Sequence, residues 1–341
     1  MNEPSSEAPP PVVSVIVPAH NVERYLDDAL RSLLAQTLAA IEIIVVDDGS
    51  TDGTRAIAMR HAADDARVRV LSRDDSSGKP SIPRNMALAA ALGHYVAFLD
   101  ADDSSVPMRL ETMVHALELT GARFGFSDKR RLYVATGELA TESTLAAASF
   151  VARAALYMER ASGNVFLCNE NFPAFLFTFI AVNTSTVIFD RALLATEQTW
   201  FDERLVCFED VDLWFRLAEH TRFAFVDEVL TIMRKHATSI TASRPLETRI
   251  DGISVRQTHL TRLRHTLSTA EIEAAERTIG ELQFHVAYAQ RCAGNARDAR
   301  RWYRASWKTV PTAATAMGYL KSFLPRRQNM PPAEAIGTIG D

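Results

Sequence analysis

The chain has 341 residues, of which 47% are hydrophobic and 23% are charged, and its formal net charge is −5. A chain of this length is too long to fold around one small hydrophobic core, so we expect one large domain and a smaller appendage. The weakly negative charge argues against a general nucleic-acid binder, and we expect no nucleic-acid partner.

The cysteines and the N-terminal residues indicate the cellular compartment of the protein. Cys168, Cys207 and Cys292 lie far apart, without metal-binding or redox spacing. We interpret them as reduced thiols of a cytoplasmic protein. Residues 1–11 are rich in Pro, Ser and Glu and lack the basic start and apolar stretch of a signal peptide, so we predict a disordered tail there.

Strand-like and helix-like patterns alternate over the first hundred residues. The predicted elements are, in chain order, a strand over 12–17, a helix capped by Asn21 with apolar positions from Tyr25 to Leu34, a strand over 41–46, a helix from Thr54, a strand over 68–71, a helix over 85–91 and a strand over 95–99. Strands that alternate with helices favour a doubly wound, mostly parallel α/β sheet.

The alternation weakens after residue 103. Residues 187–189 and 223–226 are predicted strands, and 211–218 a helix. Residues 172–182 are apolar but too short for a membrane span, which favours a core element over a surface for a hydrophobic acceptor.

The chain looks helical from about residue 247 to its end. We therefore predict an α/β domain over 12–246 and a helical region over 247–341. These helices could contact an acceptor, a membrane surface or a second copy of the chain in a homo-oligomer. A small basic group, Lys321 with Arg326 and Arg327, lies near Phe323 and Leu324, which fits either peripheral membrane contact or charges that are merely solvated.

An acidic cluster closes the fourth predicted strand. Asp100-Ala101-Asp102, with Asp103 behind it, follows the apolar run 95–99. Ligands of open α/β sheets collect outside the carboxyl ends of such strands. The carboxylates repel one another unless a cation or solvent neutralises them, and oxygen ligands suit Mg²⁺ or Mn²⁺. A helix cap is an equal alternative for the cluster taken alone.

A second polar turn, residues 47–53, lies between a strand and a helix, where backbone N–H groups attract polar ligands. It lacks the lysine of a P-loop and the glycines of a dinucleotide fingerprint, so neither ATP hydrolysis nor hydride transfer is favoured. Asp48 can accept hydrogen bonds from a nucleobase or a ribose. In the alternative interpretation, Asp48 and Ser50 only shape the turn.

A later acidic helix offers a candidate general base. Asp210 leads the apolar stripe of Leu213, Trp214 and Leu217, a placement that would desolvate its carboxylate. Acidic residues in a first helical turn also simply complement the helix dipole. For Asp212 we prefer a structural role, as the i,i+4 partner of Arg216.

Three basic side chains complete the set of candidates. Arg84 opens the helix before the fourth strand and can hold a phosphate by its fork of donors. Arg234 and His236 follow another strand-like stretch, where the histidine can ligate a metal or contact a diphosphate.

Six motifs occur in a fixed order: Val-Pro-Ala-His-Asn, Val-Asp-Asp-Gly-Ser-Thr-Asp-Gly-Thr, Pro-Arg-Asn, Phe-Leu-Asp-Ala-Asp-Asp, Phe-Glu-Asp-Val-Asp-Leu-Trp-Phe-Arg-Leu and Arg-Lys-His-Ala-Thr-Ser-Ile-Thr. The chain resembles the inverting, GT-A-fold glycosyltransferases of family 2 from about Val12 to Thr241. Pro83, the loop 76–80 and His20 depart from the family pattern, which leaves the donor base and sugar open.

The resemblance implies a nucleotide-sugar donor, usually a UDP-sugar, bound with Mn²⁺ or Mg²⁺. The residues that it assigns are Pro18, His20 and Asn21 at the edge of the nucleotide pocket, Asp48 on the base, Arg84 near the nucleotide, Asp100 and Asp102 around Ala101 as the D-x-D motif, Asp210 as general base, and Arg234 and His236 near the metal and diphosphate. Asp102 matches the direct metal ligand, and Asp100 contacts the ribose or the metal.

The expected activity is sugar transfer, with inversion, to a hydroxyl of a polysaccharide, glycolipid or glycoprotein glycan, in the cytoplasm or at the inner face of the cell membrane. A sugar nucleotidyltransferase is one alternative, but it would carry a Gly-rich basic loop after the first strand. A non-catalytic nucleotide-sugar-binding module is another, and Asp102 and Asp210 argue against it.

Overall fold

A computed structural model of the chain describes residues 10–236, 239 and 243–324. These residues form two compact units. The first comprises the chain up to residue 169 together with 182–203 and 216–236, and the second comprises 170–181, 204–215 and the described residues beyond 236. The domain boundary at 246/247 stays a prediction, and most of the predicted tail, residues 1–9, lies outside the described part.

The first unit is built on one mixed sheet. Its strands are β1 (Val13–Ala19), β2 (Ile41–Asp48), β3 (Val68–Arg73), β4 (Tyr95–Phe98), β5 (Ser104–Ser105), β6 (Phe124–Tyr133), β7 (Glu138–Leu139), β8 (Met158–Ser162), β9 (Val165–Cys168), β10 (Val187–Asp190) and β11 (Phe223–Lys235). The strand order is β3-β2-β1-β4-β10-β6-β11-β9-β8, with β5 beside β11 and β7 beside β6. Strands β1 to β4 pair in parallel, as does β6 with β11, which confirms the predicted α/β class.

Helices cover the sheet of this unit. They are α1 (Leu26–Leu34), α2 (Thr54–Asp64), α3 (Ser81–Ala90), α4 (Arg109–Thr120), α5 (Thr144–Ala147) and α6 (Phe150–Arg153), with 3₁₀ turns over Thr184–Thr186 and Arg191–Thr196. The helical spacing predicted for the first helix is confirmed, because Leu26, Leu30 and Leu33 are buried. The predicted cap is wrong, because the helix begins at Leu26 with Tyr25 at its N-cap. The Asn21 side chain binds Thr51 instead. Strands β1 and β2 are buried almost throughout, as their β-branched runs require.

Several elements differ from the predictions. Strand β11 was predicted to end at residue 226 but continues to Lys235, and the carboxyl-terminal part of β6 pairs with this continuation. Helix α3 begins at Ser81, four residues earlier than predicted, with Pro83 in its first turn, where a missing N–H costs no helical hydrogen bond.

The second unit is helical. It contains α7 (Phe172–Leu176), the first residues of α8 (Glu209–Leu217), α9 (Pro245–Leu263), α10 (Thr269–Cys292), α11 (Ala296–Thr309) and α12 (Ala313–Lys321). Residues 172–177 are buried, which confirms the core interpretation for that part of the apolar segment. All three cysteines are buried thiols without disulfide partners. Within the described ranges, no helix is long and apolar enough to cross a membrane.

A buried carboxylate joins three segments of the first unit. Glu42 of β2 is 6% exposed, and its Oε1 accepts hydrogen bonds from the Ser14 hydroxyl at 2.6 Å and from the Leu92 N–H at 2.7 Å. Its Oε2 accepts a hydrogen bond from Arg69 Nη1 at 2.5 Å. These contacts connect β1, β2 and β3 with the residues just before β4.

We expect Glu42→Ala to lower the free energy of unfolding by about 3 kcal/mol, because it leaves buried donors without an acceptor. Urea denaturation measures the change. Glu138→Ala, at an exposed position of β7, is the control and should cost less than about 0.5 kcal/mol. Equal losses in the two variants would contradict this role of Glu42.

Candidate active site

The candidate residues of the first unit collect at the carboxyl ends of parallel strands. His20 follows β1, Asp48 ends β2, and Asp100 to Asp103 follow β4. Arg234 lies at the end of β11 and His236 directly after it. In open α/β sheets this edge is where ligands bind.

The loops after β1 and β2 are joined by hydrogen bonds. The Nδ1 atom of His20 lies 2.8 Å from the carbonyl oxygen of Asp48, and the Asn21 side-chain oxygen accepts from the Thr51 N–H at 2.8 Å. Asn21 has a φ of 51°, in the left-handed region that asparagine tolerates. His20 and Asn21 stay exposed and Pro18 half-buried, so these residues line the sheet edge where the resemblance places a nucleotide.

Asp48 lies beneath the loop that follows β3. It is 3% exposed, and its Oδ2 accepts hydrogen bonds from the Ser77 N–H at 2.9 Å and from the Ser77 hydroxyl at 2.7 Å. Arg73 Nε lies 2.9 Å from Oδ1, an ion pair whose angles are not those of a hydrogen bond. The carboxylate therefore holds the loop 74–80, which contains the residues 76–80 that depart from the family pattern, and its contact with a base stays a prediction.

Arg84 is paired with Asp100. The guanidinium Nη2 lies 2.8 Å from Asp100 Oδ1, the arginine is 4% exposed, and its charge lies 5.5 Å from the centre of the Phe201 ring. The N–H of Asp100 donates to the Ser185 hydroxyl at 3.0 Å. These contacts fix the first aspartate of the D-x-D motif relative to α3 and neutralise part of its charge.

Asp102 faces His236. The Asp102 Oδ2 atom lies 2.8 Å from His236 Nε2, and the imidazole stacks on Tyr25 with 5.2 Å between ring centres. Burial raises the pKa of Asp102, and so does the nearby Asp100 carboxylate, while His236 opposes the shift. Arg234 donates to the Asp102 carbonyl oxygen at 3.0 Å and forms an ion pair with Asp28 at 3.0 Å.

Asp103 serves as an internal anchor. It is 3% exposed and accepts the Arg234 N–H at 3.0 Å. Burial raises the pKa of Asp103 well above the ordinary carboxyl value, and Asp102 and Asp100 raise it further. The sequence analysis placed Tyr25 only among the apolar positions of the first helix and assigned no role to Ser185 or Asp28, because the approach of Arg234 and His236 to the end of β4 was not visible in the sequence.

The donor set at this edge fits a hard divalent cation shared with a substrate. Within residues 10–236, 239 and 243–324, no three His, Cys, Asp or Glu side chains form a ready-made metal-binding group. The Asp102 carboxylate and the His236 imidazole form an adjacent pair, whereas Asp100 is engaged by Arg84. Mg²⁺ and Mn²⁺ commonly take only one or two protein ligands and complete their coordination with phosphate oxygens and water.

The acidic helix α8 carries Asp210 in the second unit. Asp210 is half-buried, and its Oδ1 accepts the Val211 N–H at 2.7 Å. Leu213 and Trp214 are buried, as the predicted apolar stripe requires. Asp212 Oδ1 lies 2.9 Å from His259 Nε2, a partner that the sequence did not suggest.

The sequence profile described as "Glycosyl transferase family 2" matches residues 14–146, which include β1, β2, β3, β4 and the D-x-D motif. Over residues 14–146 the chain is therefore similar to glycosyl transferase family 2. The matched range contains the whole cluster from His20 to Asp103, while Asp210, Arg234 and His236 lie beyond it.

Curated relatives are similar to part of the chain. The putative teichuronic acid biosynthesis glycosyltransferase TuaG of Bacillus subtilis (strain 168) is 40% identical over 117 residues, which is 34% of this chain and 46% of that protein. The succinoglycan biosynthesis protein ExoO of Rhizobium meliloti (strain 1021) is 32% identical over 218 residues, which is 62% of this chain and 56% of that protein. The chain thus spans about half the length of these relatives.

Solved structures share the fold over most of the chain. The structure of S. aureus TarS 1–349 in complex with UDP-GlcNAc aligns with a TM-score of 0.63 at 20% identity. The alignment covers 91% of this chain and 89% of the TarS chain. The mannosyltransferase PcManGT from Pyrobaculum calidifontis, in complex with GDP-Man and Mn²⁺, aligns with a TM-score of 0.57 at 18% identity. The alignment covers 90% of this chain and 78% of the PcManGT chain. The region similar to family 2 therefore has the predicted GT-A fold.

Gly49 enables the loop after β3 to approach the end of β2. It has a φ of 66°, and a Cβ atom there would lie 2.4 Å from the Ser76 nitrogen and 2.5 Å from the Asp75 carbonyl carbon. Gly78 has nearly the same φ, 67°, with nothing within 4 Å of a Cβ atom. An alanine at Gly78 would therefore show the effect of backbone strain alone, and an alanine at Gly49 would show strain together with steric overlap.

We expect Gly49→Ala to cost about 2 kcal/mol of stability more than Gly78→Ala, since both bear the positive-φ penalty and only Gly49 carries the backbone clash. Urea denaturation measures both variants, and limited proteolysis should detect release of the loop 74–80 in Gly49→Ala alone. The same loss of stability in both variants would show that this close approach does not hold the loop.

Proposed function

We propose that the chain is a metal-dependent, inverting glycosyltransferase. It moves a sugar from a nucleotide-sugar donor, a UDP-sugar in the first instance, to a hydroxyl group in polysaccharide, glycolipid or glycoprotein glycan synthesis. The observation that carries the proposal is the Asp102 and His236 pair at the end of β4, with Arg234 beside it. Together with Arg234, this pair presents a carboxylate, an imidazole and a guanidinium at one sheet edge.

The donor would lie along the carboxyl ends of β1, β2 and β4. His20 and Asn21 border this edge, and Asp48 and Arg84 lie behind it as the candidate groups for the base and the nucleotide. The complexes of TarS with UDP-GlcNAc and of PcManGT with GDP-Man support a nucleotide sugar as donor. The names of TuaG and ExoO support polysaccharide synthesis as the setting.

Asp102 and His236 would hold the metal, with Asp100 as a further candidate. A bound Mn²⁺ or Mg²⁺ supplies positive charge for the leaving diphosphate. Arg234 is fixed by Asp28 and by the Asp102 carbonyl oxygen, so its guanidinium is positioned before substrate binds. A prepositioned cation of this kind stabilises charge that grows in the transition state without further reorganisation.

Asp210 would act as the general base. Its carboxylate takes the proton of the acceptor hydroxyl while the acceptor oxygen forms a bond to the anomeric carbon. The bond from that carbon to the diphosphate oxygen breaks, and the nucleoside diphosphate leaves with the electron pair. Attack on the face opposite the leaving group inverts the anomeric configuration, and no covalent enzyme intermediate is formed.

Replacement of the base tests the proposal. We expect Asp210→Asn to lower kcat about 1,000-fold while binding of the donor nucleotide stays unchanged, because the amide cannot accept the acceptor proton. Release of nucleoside diphosphate from a panel of UDP-sugars and GDP-sugars, with Mn²⁺ and an acceptor mixture, measures turnover. Nucleotide titration calorimetry measures binding.

Asp212→Asn is the matched control, because it removes a charge from the same helix and keeps an oxygen that can accept from His259. It should retain most of the wild-type turnover. Unchanged turnover in Asp210→Asn would contradict the assignment of the base, and no release from any donor by the wild-type protein would contradict the proposed activity.

A further inference from the structure

Helices α11 and α12 of the second unit present an exposed apolar surface. Five of the thirteen large apolar side chains that are exposed in the described ranges lie within residues 307–324. They are Trp307, Met317, Leu320, Phe323 and Leu324, with exposed fractions between 47% and 67%. We call residues 296–324 and their exposed side chains the α11–α12 surface.

The orientation of α12 is fixed by its inner face. Thr315, Gly318 and Ser322 are buried at positions i, i+3 and i+7. A Cβ atom on Gly318 would lie 2.4 Å from the Tyr303 ring, so glycine permits α12 to pack directly on α11. Met317, Leu320 and Leu324 lie along another face of the helix. They remain exposed because the inner face is the one that packs against α11.

The same segment is rich in basic side chains. The α11–α12 surface contains Arg297, Arg300, Arg301, Arg304, Lys308 and Lys321 against the single acidic residue Asp298. This segment therefore carries a net charge of +5 in a chain of net charge −5. The charge pattern marks the surface as distinct from the rest of the molecule.

Some of these cations are held next to the apolar side chains. The Arg300 guanidinium lies 4.8 Å from the centre of the Phe323 ring and donates to the Ser322 carbonyl oxygen at 3.3 Å. Arg304 donates to the Tyr319 hydroxyl at 2.7 Å and lies 5.2 Å from the centre of that ring. Apolar and cationic groups are thereby fixed on one surface.

We propose that the α11–α12 surface docks the protein on an anionic lipid bilayer. Exposed Leu, Met, Phe and Trp side chains suit the boundary between headgroups and acyl chains, and the arginines and lysines suit anionic headgroups. A symmetric dimer joined through this surface would place two segments, each of net charge +5, against each other. This repulsion disfavours a second copy of the chain as the occupant.

Vesicle sedimentation tests the docking. The full chain is mixed with vesicles of phosphatidylcholine alone or with added phosphatidylglycerol, and the pelleted fraction is measured. We expect binding to the anionic vesicles only, and release at high salt, because ions screen the attraction. Failure to bind the anionic vesicles, or equal binding to both kinds, would overturn the proposal.

Matched variants assign the binding to this surface. Leu320→Ser should weaken vesicle binding about tenfold, since it removes apolar area that would enter the bilayer. Leu92→Ser, which alters a side chain of similar exposure in the first unit, should leave binding unchanged. Arg301→Glu should weaken binding, and Arg277→Glu on α10 should weaken it less. Equal effects within either pair would contradict the assignment.

Light scattering distinguishes a second copy from a lipid surface. The molar mass of Leu320→Ser in solution should equal that of the wild-type protein. A dimeric wild-type protein that becomes monomeric in this variant would assign the surface to a second copy and overturn the membrane proposal.

Discussion

Repulsion among three carboxylates at the end of β4 is the constraint on which the candidate site depends. Asp100, Asp102 and Asp103 lie within four residues, and each is balanced by a different part of the chain. Arg84 of α3 pairs with Asp100, His236 faces Asp102, and the backbone N–H of Arg234 binds Asp103. The strand end can hold this much negative charge only because α3 and β11 bring these partners to it.

The three carboxylates consequently have separate roles. Asp103 is buried and serves the fold, and its hydrogen bond to Arg234 fixes the end of β11. Asp100 is partly exposed and partly neutralised by Arg84. Burial and Asp100 both disfavour the ionised form of Asp102, while His236 opposes them. A divalent cation held by Asp102 would stabilise this carboxylate.

The first half of the fold was readable from the sequence, because the strands of the parallel sheet are rich in Val, Ile and other apolar residues and polar residues cluster where several of them end. The same pattern identified His20, Asp48, Asp100 and Asp102. The continuity of β11 was not readable, since the sequence indicated a strand over 223–226 and a separate strand-like stretch before Arg234, and pairing with β6 joins them into one strand. The covering of Asp48 by the loop 74–80 depends on the close approach at Gly49, which no periodicity reveals.

Crystals grown with UDP and Mn²⁺ offer the most direct test of the central claim, that the end of β4 and His236 hold a cation and a diphosphate. Anomalous scattering locates the manganese without assumptions about its ligands. The account predicts an anomalous peak within bonding distance of an Asp102 carboxylate oxygen and of the diphosphate. Bound nucleotide with manganese elsewhere, or with no manganese peak beside Asp102, would contradict it.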